Sequence, residues 1–412
     1  MHTTLSLPSD VERRPEIELL LCCSRTRLDS QRTQLLSILV QEEIDWTYLI
    51  QIALRQGVMP LLYFNLNTTC PDAVPKTVLE QLRNHFQSNA LNSLFLASEL
   101  LKLLNLFNEN AIPTIPFKGP VLTAEVYGNL TLRQFCDLDI LVREQDFLKA
   151  RELLILEGYQ PLYEFDWEQS FAQSQSGIHV DLHQGLTSRY FPVHFDFDRC
   201  WQRLESVSLA GTTVMNLSAE DLLIILCVQV AKDCWYERDQ LIKICDIAEL
   251  INAHQSLDWK DVLEQAHLLG CKRMLFLSLL LAHELLDTAL PQTVLLELQA
   301  NSAVMSLAVK IRDRFFQNTY IPPDTIESPL KRLLRSAIFN FRIRERWQDK
   351  LPYIFFLLKS AIIPNANDCE LVSLPASLSC LYYLLKPVRL VEKYGWKPLQ
   401  NLLKRLHFPF LA

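Results

Sequence analysis

Helical periodicity in this chain is interrupted once, across residues 111–215, and that interruption constrains the fold more than any other feature. From Glu16 to about Asn110 apolar residues recur at three- and four-residue intervals, as in LDSQRTQLLSILVQEEIDWTYLIQIALRQG, and prolines at 60, 71 and 75 punctuate the run. The spacing predicts a long helix over roughly 76–109, ending before AIPTIPFKGP, where prolines bracket β-branched residues and disfavour helix. Strands are then expected at 113–118, 137–142, 159–164 and 177–184, with helices at about 120–128 and 144–157. After Gly211 the pattern returns to helix, with Ser218-Ala219-Glu220-Asp221 as its N-cap turn, and continues nearly to residue 363. Only nine glycines occur in 412 residues, which disfavours hairpin-rich β folds. The fold expected is α+β and predominantly α. It has an N-terminal helical region (1–110), a small mixed β-sheet core (111–215), a helical domain (216–363) and a C-terminal helical extension (364–412).

Charge and cysteine usage narrow the function classes. A formal net charge of -7 supplies no general attraction to phosphate backbones, so a small molecule or a protein is favoured over nucleic acid. Eleven cysteines without a C-x-x-C pair fit neither a disulfide framework nor a zinc ribbon, and point to reduced thiols in the cytoplasm. The N-terminus lacks a signal-peptide pattern, and the apolar stretches Met274–Ala282 and Tyr353–Ile363 are shorter than the ~20 residues of a membrane span. No transmembrane segment is expected. The terminal KPVRLVEKYGWKPLQNLLKRLHF is basic and amphipathic; it suits either a helix packed on the body or a peripheral contact with an anionic membrane or acidic partner.

The sharpest local signal is D-L-D at 137–139. On a strand, positions i and i+2 share a face, so Asp137 and Asp139 bring two carboxylates together. Like charges this close are costly unless a cation neutralises them, and oxygen-rich sites suit hard ions such as Mg²⁺. In G-I-H-V-D-L-H the same alternation aligns His179, Asp181 and His183. If the two strands are neighbours, three carboxylates converge. Upstream, Phe117-Lys118-Gly119-Pro120 joins a strand to a helix and aims backbone N–H groups at an anion. Lys118 and Arg133 offer a point charge and a bidentate fork for phosphate oxygens. Two other readings stay open: a His179-Asp181-His183 zinc or iron site of a metal-dependent hydrolase, and a catalytically silent binding or scaffold protein. Cys136, beside the acids with no adjacent histidine, reads as packing, with a raised pKa.

These residues, F-K-G-P-V-L-T-A-E-V-Y-G-N-L-T-L-R-Q-F-C-D-L-D-I-L-V and then G-I-H-V-D-L-H, resemble an uncharacterised nucleotidyltransferase family within the DNA polymerase β-like nucleotidyltransferase superfamily. W-Q-R-L at Trp201, L-S-A-E-D-L-L at 217–223, I-C-D-I-A-E-L at 244–250 and the segment 374–390 look like its later landmarks. The turn departs from the superfamily's Gly-Ser in carrying Pro120 after Gly119. The resemblance implies an Mg²⁺-dependent transferase that moves a nucleoside monophosphate from an NTP such as ATP to a hydroxyl of a small molecule or protein. It makes Asp137, Asp139 and Asp181 the catalytic acids and ligands of two Mg²⁺ ions, and gives Lys118, Gly119 and Arg133 to the phosphates. It also suggests His183, Lys232, Trp235 and Asp246 as base or acceptor contacts, beside plainer readings of Trp235 as core and Asp246 as a helix–helix hydrogen bond.

Overall fold

The computed structural model of the chain describes residues 14–187, 191, 193–236, 238, 240–316 and 329–362. Side-chain caps start two of the first helices: Asp29 accepts from Arg32 N at 2.8 Å and Asp45 from Tyr48 N at 2.9 Å, each satisfying an otherwise unpaired N–H of a first turn. The helices are α1 (Pro15–Cys23), α2 (Ser30–Leu39), α3 (Trp46–Arg55), α4 (Met59–Thr69) and α5 (Lys76–Glu109). The last has the bounds expected from its periodicity. Its stripe of Leu96, Leu100, Leu103 and Phe107 is buried.

Five strands follow: β1 (Thr114–Pro116), β2 (Asp137–Val142), β3 (Tyr159–Glu164), β4 (Glu168–Gln173) and β5 (His179–His183). They form one mixed sheet in the order β1-β2-β5-β4-β3, in which β2 and β5 run parallel and the other neighbours antiparallel. The β1–β2 connection holds a short α6 (Gly119–Leu122), which runs into a π-helical turn over Thr123–Tyr127 that ends at Gly128 in the left-handed region. α7 (Phe147–Leu156) links β2 to β3. Strand alternation gives the sheet two unlike faces. Leu138, Ile140, Val142, Phe171, Val180 and Leu182 pack with the α5 stripe and with Ala150 and Leu154 of α7; each such side chain contributes roughly 1.5–3 kcal/mol by its burial. The other face carries the acids.

After α8 (Phe197–Gln202) the structure departs from the expected return to helix. A hairpin, β6 (Glu205–Leu209) and β7 (Thr212–Asn216), turns at Ala210 and Gly211, both at positive φ. Helix resumes at α9 (Ala219–Tyr236), whose Asp221 N–H donates to Ser218 Oγ at 3.3 Å, and continues in α10 (Leu241–Ala253), α11 (Trp259–Leu269), α12 (Lys272–Leu286), α13 (Gln292–Gln299) and α14 (Ser302–Phe316). Every residue from Met274 to Ala282 is buried, so that apolar run is a core helix packed on α9 and α10. The described helix with the length and composition to cross a membrane is instead α5, a third of whose most apolar window is buried inside the fold. α13 and α14, bent by 90° at their junction, pass the same test only when taken together.

The chain divides into two compact units, residues 1–318 and 319–412. In the second, α15 (Pro329–Ile343) and α16 (Trp347–Ile362) are described. The expected basic C-terminal extension and the motif at 374–390 lie outside the described residues.

Candidate active site

The parallel β2–β5 pairing sets Asp139 beside Asp181, Asp137 beside His179 and Leu141 beside His183. On the other side of β5, the antiparallel register sets Ser170 opposite Asp181 and Glu168 opposite His183. Three strands therefore bring Asp137, Asp139, Asp181, His183, Glu168 and Ser170 to the face turned away from the core. One donor atom from each of Asp139, Asp181 and His183 lies within 4.8 Å of the others. Asp137 flanks this trio, and His179 is exposed at the strand's start.

Asp139, with a side chain 10% exposed, is the hub. Its Oδ1 accepts from Lys118 Nζ at 3.1 Å and lies 2.9 Å from His183 Nε2; among the described residues no hydrogen bond goes to its Oδ2. The imidazole of His183 is 3% exposed. Phe117 meets it edge-on at 5.3 Å, and its Nδ1 lies 3.4 Å from Glu168 Oε2 without the geometry of a hydrogen bond. Ser170 Oγ donates to Asp181 Oδ1 at 2.6 Å. Asp137 makes no side-chain hydrogen bond among the described residues.

The electrostatics separate the two strand acids. Burial, reinforced by the charge of Asp139, raises the Asp137 carboxyl to about 6. Burial also works against ionising Asp139, but the Lys118 ammonium and the His183 hydrogen bond outweigh it and hold that carboxyl well below the ordinary range. Lys118 is raised: burial opposes its charge, and Asp139 and Asp137 more than compensate. Lys232, reaching in from α9, is lowered by burial and by repulsion from Lys118, while Asp233, Glu168 and Asp139 act on it in the opposite sense. Lys118 pairs with the acids directly, and Lys232 lies within electrostatic range of Asp139.

Gly119 brings the β1–α6 turn against β2. Its φ of +53° suits glycine, and a Cβ there would stand 3.4 Å from the Asp137 carbonyl oxygen. Pro120 removes one N–H from the first turn, and α6 is only four residues long. Arg133, expected at the phosphates, is buried against Asp246 of α10: Nε donates to Oδ1 at 2.7 Å and Nη2 to Oδ2 at 2.8 Å, while Tyr127 Oη donates to Oδ1 at 2.8 Å. This bidentate pair ties the loop entering β2 to the helical region. Trp235 lies in α9, and its side chain is outside the described residues. Cys136 is exposed, contrary to its reading as packing, and its thiol is pushed up by partial burial and by Asp137, Asp139 and Asp181. Glu168 and Ser170 escaped the sequence reading because β4 was not anticipated: E-Q-S-F-A-Q carries no polar-apolar alternation to announce a strand.

The sheet and its flanking helices form a predominantly helical α+β fold, and the Asp139-Asp181-His183 cluster on its polar face could hold a metal ion. The profile of a family described as uncharacterised nucleotidyltransferase matches residues 42–287, more than half of the chain, which belongs to that family. No curated protein matches. A crystal structure of an antigenic nucleotidyltransferase-like protein from Paracoccidioides brasiliensis aligns with 54% of this chain and 92% of its own, at 16% identity and a TM-score of 0.28.

Proposed function

We propose that the protein is a divalent-metal-dependent nucleotidyltransferase that moves a nucleoside monophosphate from an NTP to a hydroxyl of a small molecule or protein. The observation that carries this reading is the adjacency of Asp139 and Asp181 on parallel strands, with Lys118 reaching Asp139 from the glycine turn. The donor set fits a metal: two carboxylates and an imidazole converge, and each carboxylate keeps one oxygen without a hydrogen-bond partner among the described residues. Asp137, Asp139 and Asp181 are the carboxylates that would hold Mg²⁺, two ions being accommodated if Asp139 is shared. Bound there, the metal would supply charge neutralisation at the phosphates and would favour the deprotonated acceptor hydroxyl.

The chain's own residues do the rest. Lys118 and Lys232 offset the negative charge of a triphosphate brought against the acids. Gly119 lets the turn approach β2 closely enough for Lys118 to reach its partner. Arg133 and Asp246 serve as positioning residues, holding the loop that delivers Asp137 and Asp139. The reaction requires no covalent intermediate with the protein. A cytoplasmic setting suits the nine described cysteines, all free thiols.

Calorimetric titration of the full chain with each NTP in the presence of Mg²⁺ tests the proposal. Binding of at least one NTP that is lost on chelation is the expected result; no binding of any NTP rules the enzyme reading out.

A further inference from the structure

On the metal reading just given, we propose that the site's two cation positions are chemically unequal. Asp139, Asp181 and His183 form a mixed oxygen–nitrogen pocket for a first-row transition ion such as Mn²⁺, oriented from β4 by Glu168 and Ser170. The edge at Asp137 is left for an all-oxygen Mg²⁺ site shared with the nucleotide phosphates.

Three observations converge on this. First, the donor atoms that meet within 4.8 Å are those of Asp139, Asp181 and His183, and Asp137 is not among them. An imidazole in the inner set favours transition ions, whereas Mg²⁺ prefers oxygen ligands and water. Second, both prospective ligands on β5 have a polar partner directly across on β4. Ser170 Oγ donates to Asp181 Oδ1 at 2.6 Å, and Glu168 Oε2 stands 3.4 Å from His183 Nδ1. A ligating histidine commonly presents its second ring nitrogen to a carboxylate, which fixes the tautomer and raises the basicity of the coordinating nitrogen. Here Nδ1 is buried and lacks a hydrogen bond, while a carboxylate oxygen lies within reach of a small adjustment. Third, the ring is held in place: it is 3% exposed, and Phe117 packs edge-on against it. A histidine kept only for solvation has no need of burial between two carboxylates and an aromatic edge. His183 is thus a candidate metal ligand, and Glu168 is a positioning residue acting through it.

Mn²⁺ added to the full-length protein in excess Mg²⁺ tests this, with binding followed by electron paramagnetic resonance and the ligands by electron spin-echo modulation. One Mn²⁺ per chain should bind and resist displacement by Mg²⁺, with ¹⁴N modulation of the imidazole type that disappears in His183→Gln. Glu168→Gln should keep the wild-type melting temperature and weaken Mn²⁺ binding about 10- to 100-fold. Bound Mn²⁺ without nitrogen modulation, or a Glu168→Gln variant of undiminished affinity, overturns the inference. If NTP still binds with Mg²⁺ in that same preparation, nucleotidyl transfer survives it. If neither metal nor NTP binds, both readings fall.

Discussion

Two buried carboxylates, Asp246 and Asp139, each meet a basic side chain contributed by the segment between β1 and β2, yet they are built for different purposes. Both oxygens of Asp246 are engaged: the Arg133 fork takes one each, and the Tyr127 hydroxyl adds a third donor. The acid is 2% exposed, and Arg133 is raised because Asp246 more than compensates its burial. Such a carboxylate has its charge paired and both oxygens engaged within the fold. Asp139 takes Lys118 and His183 on one oxygen, leaves the other without a hydrogen bond among the described residues, and has two further acids, Asp137 and Asp181, on the same sheet face. A charge paired through both oxygens marks an anchor. Incomplete satisfaction of a buried charge, beside like charges, marks a site poised to take up a cation.

The contrast can be broken at either end. Asp139→Asn is expected to lower nucleotidyl transfer, measured as pyrophosphate release from NTP, by about a thousandfold or more while leaving the thermal melt nearly unchanged; undiminished turnover would disprove the assigned role. Asp246→Ala reverses the pattern. It strands Arg133 and Tyr127 in the interior and should cost about 3–5 kcal/mol in urea denaturation. Arg133→Lys keeps the charge and loses the fork, for an expected loss of about 1.5–3 kcal/mol in stability. Weakened NTP binding with intact stability in that variant would move Arg133 from anchor to phosphate ligand. The smallest effect belongs to a third pair, Glu125 and His254, 3.1 Å apart and partly exposed. The hydrogen bond to Glu125 raises His254 above 6.5, partial burial acting against it. Its stabilisation is therefore complete below pH 6.5 and lost as pH rises through the higher folded value. Denaturation midpoints should fall slightly from pH 6 to 8.5, and this slope should be shallower in His254→Gln.

Much of the scaffold was legible because its signals are local. The α5 stripe and the D-L-D-I-L-V strand declare themselves within one turn or one pleat, and β2 has the bounds its alternation predicts. β4 stayed hidden because Phe171 is its one fully buried large apolar residue, leaving little hydrophobic alternation to read. With β4 went Glu168 and Ser170, the two partners that distinguish His183 from a polar strand end. The β6–β7 hairpin escaped for another reason: its turn rests on Ala210 at positive φ, a conformation its residue type does not announce. Arg133 was placed near phosphate by its spacing from the acids; its pairing with Asp246, 113 positions away, is one that only tertiary structure reveals.

The parallel register of β2 and β5 also has a consequence for how the chain acquires its chemistry. β3 and β4 are hairpin neighbours and β4 meets β5 across a short turn, so these pairings close over little chain. Asp139 and Asp181 become neighbours only when that ribbon swings back onto β2, closing a longer loop at greater entropic cost. By loop closure alone, the pairing that unites the acids is the entropically costliest in the sheet, so the same contact that assembles the candidate site is the one its local hairpins do not enforce.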